Sequence, residues 1–319
     1  MKMQRRALLG AMLASPFLAG IAKSSDRPLR IVVPFQAGSA TDTAARIIGE
    51  NLGKALGRSA VIDNKPGAEG LLAVKEVMRA EPAGDVLLFS TNTAITGINT
   101  FHPEPFYDPL TDLSPIIKIG DFPFLLVANA SLPFQDVKAF LEYARTNPNR
   151  LTYASGSSSS IIAMAQLIDM AGLALHHIPY NSEPPAVIDL VGGRIDVMFA
   201  TPTTTAGFIK EGKLRAMMTT TPARLVQFPD IPTMVDSGYA SMPLVPWGGF
   251  FGPARMPAET RAALSQNIGA VLASPTVANA LSDHHISVTT LNPDEFTDYL
   301  REQLDLSLQV VRKNNLTRK

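Results

Sequence analysis

The chain has 319 residues, 46% of them apolar, with 28 Lys plus Arg against 28 Asp plus Glu and a formal charge of zero. That length allows two ordinary domains or one large one, and the neutral balance removes the basic footprint of a nucleic-acid binder. Cysteine is absent, which excludes disulfides, thiolate metal sites and a cysteine nucleophile.

The first element along the chain is an export pattern. Arg5 and Arg6 precede the uncharged stretch 7–22, which ends in Gly20 and Ala22 before Lys23. A positive start, an apolar run and small residues are the parts of a secretory signal peptide, so residues 1–22 are set aside from the fold. The twin arginines in QRRALLG suggest the twin-arginine route, although Sec signals also start with basic residues. No later stretch reaches the ~20 apolar residues of a membrane span, and a soluble exported protein is expected.

Strand-like and helix-like runs then alternate. RIVVPF is a buried-strand run, and residues 41–57 follow with Ala44, Ile47, Ile48, Leu52 and Leu56 at helical spacing. AVID reads as a strand, AEGLLAVKEVMRA as a helix and DVLLFS as a strand. After GDFP the same order resumes: FLLVANA, DVKAFLEYAR, LTYAS, IIAMAQLIDMAG, HHIPY, AVIDLVGG, IDVMFA, TAGFIKEG and LRAMMTT. This alternation predicts an α/β architecture of mostly parallel sheets flanked by helices. Residues 258–281 are expected as one helix. Phe296, Leu300, Leu304, Leu308 and Val311 line another, started by an NPDE cap at Asn292. Segments dense in Pro and Gly at 120–124 and 243–253 mark two crossings. They divide the chain into a lobe of 26–122 with 246–319 and a lobe of 123–245.

Two loops stand out, one in each lobe. RIVVPFQAGSATDTAARII and LTYASGSSSSIIAMAQL share one plan of apolar strand, small-residue loop and amphipathic helix. Ligands of open α/β sheets bind beyond the carboxyl ends of the strands, where such loops lie. The first N–H groups of a helix lack internal partners and sit at the positive end of the macrodipole. Two facing helix starts can therefore hold an anion without Lys or Arg. The plainer reading is ordinary capping, and Ser39 with Asp42 has near capping-box spacing; matching loops in both lobes favour binding.

Other chemistry finds little support. Neither G-x-x-x-x-G-K-[ST] nor G-x-G-x-x-G is present at the first loop, and the Ser run contains no G-x-S-x-G elbow. The adjacent pairs His176–His177 and His284–His285 are poor chelators on a strand, because neighbours point to opposite faces. No carboxylate dyad, metal site or cofactor site emerges. Phe35, Tyr180 and Trp247 read equally well as core aromatics and as cleft walls.

RPLRIVVPFQAGSATDTAAR, VIDNKPGAEG, HIPYNSEPPAVIDLVGGRIDVMF, GKLRAM and FPDIPTMVDSGY strongly resemble the Bug/TctC family of periplasmic solute receptors of tripartite tricarboxylate transporters. The resemblance runs from about Arg27 almost to the C-terminus. It implies a type II-like periplasmic binding protein, hinged between two lobes, with a small carboxylate pinned by backbone and hydroxyl groups of the two loops. Against the usual P-F-x-P-G-G-x-x-D, this chain has Ala37 and Ser39; Asp42 is kept and is expected to order the loop. GSSSSII replaces a G-N-G-S-type loop with a following His, PYNSEPP replaces P-Y-K/R-G-x-x-P, and Ala200 stands where many relatives have Asp. Loss of that acid argues against a ligand ammonium and for an apolar or aromatic body.

The resulting expectation is a non-enzymatic, monomeric periplasmic receptor without cofactor, working with membrane subunits of a tripartite transporter. Phe35, Gly38, Ser39, Ala40 and Thr41 would form half of the clamp. Ser155, Ser157, Ser158, Ser159 and Ser160 would form the other half, with Tyr180 and Thr201 at the far end. The competing readings are a ligand-sensing partner of a membrane signalling protein and a secreted α/β hydrolase using one serine of the run.

Overall fold

The computed structural model describes residues 27–316; the expected signal peptide lies outside them. The apolar strand β1 (Leu29–Val33) leads into α1 (Ala40–Leu56), which starts at the N-cap Ser39 and stops at Gly57, left-handed at φ 65°. Then come β2 (Ala60–Asn64), α2 (Leu71–Met78), β3 (Val86–Thr91), a π-helical turn (Thr93–Gly97), α3 (Ile98–Phe101) and β4 (Leu113–Asp121). The chain continues through β5 (Leu125–Asn129), α4 (Val137–Thr146), β6 (Thr152–Ser155), α5 (Ser158–Ala171), β7 (His176–Pro179) and α6 (Glu183–Val191). It then forms β8 (Val197–Ala200), α7 (Pro202–Lys210) and β9 (Leu214–Thr219). It ends with β10 (Trp247–Pro253), α8 (Ala258–Ala273), α9 (Pro275–Asp283), β11 (Ser287–Leu291) and α10 (Pro293–Lys313).

Two sheets result, with strand orders β11-β4-β10-β3-β1-β2 and β7-β6-β8-β5-β9. Within each sheet most strands run one way, as expected, with β10 and β11 reversed in the first and β5 in the second. β1 pairs in parallel with β2 and β3, whereas β10 runs against β3 and β4, and β11 against β4. In the second sheet β6 is parallel to β7 and β8, while β5 runs against β8 and β9. The connections explain β5 and β10. Each is the strand by which the chain enters one sheet from the other. It starts at the edge where the other strands end, so it must run back against them.

The chain passes between sheets at 122–124 and again across 220–246. The passages are bonded side by side: the Phe122 amide donates to the Pro246 carbonyl at 2.8 Å, and the Thr220 amide to the Phe124 carbonyl at 3.0 Å. A small apolar cluster of Phe101, Ile161, Ile162, Leu244 and Val311 joins elements of both sheets. These contacts tie the two bodies together with the ends of their strands facing each other.

Trp247 is a core residue, 0% exposed. Its ring meets Phe296 edge-on at 5.3 Å and Tyr299 at 5.8 Å. The single helix expected over 258–281 is two helices. Ser274 ends α8 in extended backbone and caps α9, accepting from the Val277 amide at 3.3 Å, with Pro275 at the first helical position. Proline cannot continue the α8 hydrogen-bond ladder, but it fits a new helix start. The Asn292 capping box is present. The buried stripe of α10 is Phe296, Leu300, Gln303, Ser307 and Val311, so two polar residues lie where Leu304 and Leu308 were expected. Ser307 shares a hydrogen bond with Thr100 at 2.9 Å.

Candidate functional site

The carboxyl ends of β1, β3, β6, β7 and β8 converge on one cleft. One side is the loop after β1. Ser39 accepts from the Asp42 amide at 3.2 Å, and the Gly38 amide donates to the Asp42 carboxylate at 2.9 Å. Asp42 also accepts from Asn64 at 2.9 Å and from Arg46 Nε at 3.0 Å, while Arg46 Nη2 lies 2.9 Å from its second oxygen. Asn64 in turn donates to the Phe35 carbonyl at 3.0 Å. Burial works against the Asp42 charge, but Arg46, the Gly38 amide and Asn64 outweigh it and hold the carboxyl below its ordinary value. The acid faces these partners and does not line the cleft. Ala40 and Thr41 do, and their amides belong to the first turn that a helix leaves unpaired.

The opposite side is the loop after β6. Ser157 caps α5 in a reciprocal box with Ser160. Ser158 donates to the Thr93 carbonyl at 3.3 Å, and Ser159 bonds the Thr93 hydroxyl at 2.7 Å and the Asn92 side chain at 3.0 Å. The start of α5 is thus pinned to the turn that follows β3, and both helix starts face one space. Phe35, Phe122, Phe124, Pro184 and Pro246 supply apolar walls.

Of the residues expected from sequence, Phe35, Ser39, Ala40, Thr41, Ser157, Ser159 and Thr201 line this cleft together. The others turn elsewhere. Gly38 takes φ +83° and gives its amide to Asp42. The hydroxyl of Ser158 is used by Thr93, and that of Ser160 by the capping box. The Tyr180 hydroxyl donates to Asp189 at 2.7 Å. Ser155 bonds His177 Nε2 at 2.5 Å, and the His177 ring stacks on Tyr153. This Ser–His pair is a feature a hydrolase reading could use. Ser155 is 2% exposed and lines a hollow adjoining the main cleft, which shares Phe35, Gln36, Thr93, Gly156, Ser157 and Ser182 with it.

Sequence reasoning missed Gln36, Asn92, Thr93, Phe122, Phe124, Ser182 and Glu183, all of which line the cleft. Asn92 and Thr93 follow the strand run DVLLFS, but a tight π-turn replaces the Gly/Ser loop that marks the other two strands. Glu183 is the first residue of α6. Its Oε2 accepts the Thr201 amide at 3.1 Å, and its Oε1 accepts the hydroxyls of Thr201 at 2.5 Å and Thr204 at 2.6 Å. Burial pushes its carboxyl up, against the three donors that pull it down. An acid thus stands beside Ala200 after all, and the argument against a ligand ammonium loses its support. Among the described residues no cluster fit to hold a metal ion occurs, and no helix is long and apolar enough to cross a membrane.

Residues 44–316 match the tripartite tricarboxylate transporter family receptor, TctC. Solved structures share the architecture at substantial sequence identity. Periplasmic binding protein BugD superposes with a TM-score of 0.85 at 29% identity, covering 92% of this chain and 99% of its own. Rpa4515 of R. palustris with adipate gives 0.86 at 25% identity, covering 91% and 98%. MatC (Rpa3494) from Rhodopseudomonas palustris with bound malate gives 0.81 at 27% identity, covering 89% and 99%. The fold, the convergent loops and the match across most of the chain agree: this protein belongs to the TctC family of tripartite tricarboxylate transporter receptors.

Proposed function

We propose that the protein is an exported periplasmic receptor that captures a small organic carboxylate in this cleft and delivers it to membrane subunits of a tripartite transporter. It works as a monomer, without a cofactor and without turning its ligand over. One observation carries the reading: the starts of α1 and α5, one from each sheet, face a single cleft that no Lys or Arg among the described residues lines. Amides and hydroxyls there can hold an anion by charge-assisted hydrogen bonds, each contributing about 1.5–3 kcal/mol. The related structures Rpa4515 and MatC hold the carboxylates adipate and malate. The two passages at 122–124 and 220–246 support lobes of 26–122 with 246–319 and of 123–245, closing over the ligand about those passages. The Arg46 and Asn64 contacts support a loop-ordering role for Asp42.

A thermal-shift screen of mono-, di- and tricarboxylates tests this. A ligand at a hundred times its dissociation constant adds about 2.7 kcal/mol of stability, so at least one acid should raise the melting temperature by several degrees. No shift with any of them would remove the reading. Ser39 refines it. Its oxygen accepts the Asp42 amide, which leaves the hydroxyl proton free to meet a ligand. Glycine serves as an N-cap at a cost of a few tenths of a kcal/mol. Ser39→Gly should therefore leave melting almost unchanged while weakening the ligand about tenfold. Calorimetric titration with the best acid of the screen checks it; equal affinity means that the hydroxyl makes no contact.

A further inference from the structure

Among the described residues lining the cleft, Glu183 is the only one with an ionisable side chain. It faces the start of α7, where Thr201 is the N-cap and Pro202, at the first helical position, has no N–H to offer. Of the donors there, the Thr201 amide and the hydroxyls of Thr201 and Thr204 go to the two oxygens of Glu183, while the Thr203 hydroxyl turns to the His284 carbonyl. Amides and hydroxyls at a helix start are the groups that would hold an acid at the far end of a ligand.

We infer that the ligand carries a single carboxylate, and that Glu183 sets this preference by seating its own carboxyl group where a second ligand carboxylate would bind. The inference rests on the carboxylate reading of the cleft. The starts of α1 and α5 offer unpaired amides to one anion. At the start of α7 the protein supplies the acid itself. An ionised Glu183 repels a second carboxylate, and a protonated one still occupies its donors, so the preference keeps its direction in either state and is larger when Glu183 is ionised. Ser182 and Pro184 flank Glu183 in the sequence, and Pro184 lies in the first turn of α6. Proline there fixes the helix start and holds the acid against α7.

The test is calorimetric titration of the full exported chain with pairs matched in carbon skeleton: butanoate with succinate, hexanoate with adipate, and 4-methylbenzoate with terephthalate. In every pair that binds, the wild type should prefer the monocarboxylate by about a hundredfold, from like-charge repulsion across a few ångströms. Glu183→Ala uncovers the α7 donors and should cut that preference at least about tenfold by gaining the dicarboxylate. Glu183→Gln keeps the shape, removes the charge and should narrow the preference less. A wild type that binds a dicarboxylate as tightly as its partner overturns the inference while leaving the carboxylate reading intact, and needs no variant to fold. An unchanged preference in a folded Glu183→Ala protein overturns it equally. If neither set binds, the carboxylate reading falls and this inference with it.

Discussion

Gly156→Ala should lower the melting temperature by about 6–12 °C and weaken ligand binding at least tenfold, the largest combined effect of any single methyl added to this molecule's cleft. A Cβ at Gly156 would lie 2.5 Å from the Glu183 nitrogen, 2.6 Å from the Glu183 Cα and 2.6 Å from the Ser182 carbonyl carbon. All three atoms are backbone, so no side chain can rotate away. The loop before α5 would have to separate from the start of α6, although the Tyr180 amide ties the same region to the Ser155 carbonyl at 2.9 Å. Overpacking of this kind costs typically 1–3 kcal/mol, and a clash with backbone belongs at the upper end. At roughly 2–4 °C per kcal/mol for a chain of this size class, that gives the expected fall. Gly156 also lines the cleft, so the same shift moves the α5 amides away from the anion, and misaligning even one charge-assisted bond costs about tenfold or more. Gly207→Ala is the matched control. It lies within α7 with nothing within 4 Å of its Cβ position, and alanine there should stabilise by up to about 1 kcal/mol. Melting curves and titrations of both variants decide the matter; a Gly156→Ala protein that binds like the wild type would sink the description of the loop.

Much of this arrangement is written locally in the chain, and what is not has a physical reason. The helix α1 is legible because Ser39 caps it, Gly57 ends it and Ile48 and Leu52 are buried at helical spacing. The capping box at Asn292 announces α10 in the same way. Strand direction is not local. Whether β5 or β10 runs with or against its neighbours depends on where the chain came from, which no run of apolar residues records. The break between α8 and α9 was legible in Ser274–Pro275, but the apolar residues on either side obscured it. The site divides along the same line. Residues whose backbone makes the site, such as Ala40, Thr41 and Ser157, sit in loops with an evident Gly/Ser signature. Glu183 belongs to the site only because α6 and α7 start side by side, a meeting of residues 183 and 201 that belongs to tertiary packing. The serine run shows the converse. Ser158 and Ser160 look like ligand groups in sequence, yet their hydroxyls hold Thr93 and the helix cap. A run of like residues on a helix start cannot point one way, because successive side chains are turned about 100° apart.

Asp42→Asn should destabilise the protein by about 1–3 kcal/mol at neutral pH and weaken the ligand through the loop it holds. The Asp42 side chain is 4% exposed, and its two oxygens take hydrogen bonds from Gly38, Asn64 and Arg46. Asparagine offers one acceptor oxygen where these donors need two, and turns an NH₂ group toward one of them. The Arg46 head is 53% exposed and can return to water, so its share of the loss is small; the Gly38 amide and Asn64 have less freedom. The pH dependence separates this account from simple loss of packing. A carboxyl whose folded pKa lies below its unfolded value, as here, stabilises fully above the unfolded value of about 3.9. That contribution is lost as pH falls through the folded value. The gap in melting temperature between wild type and Asp42→Asn should therefore be constant from about pH 5 to 7 and close progressively below about pH 4. In the protonated state the native acid no longer offers its charge to the same donors, and the two proteins converge. A gap that stays the same from pH 7 to pH 3 would mean that Asp42 acts by shape alone. In that case the anchoring of the first loop would have to come from Asn64 and the Ser39 cap.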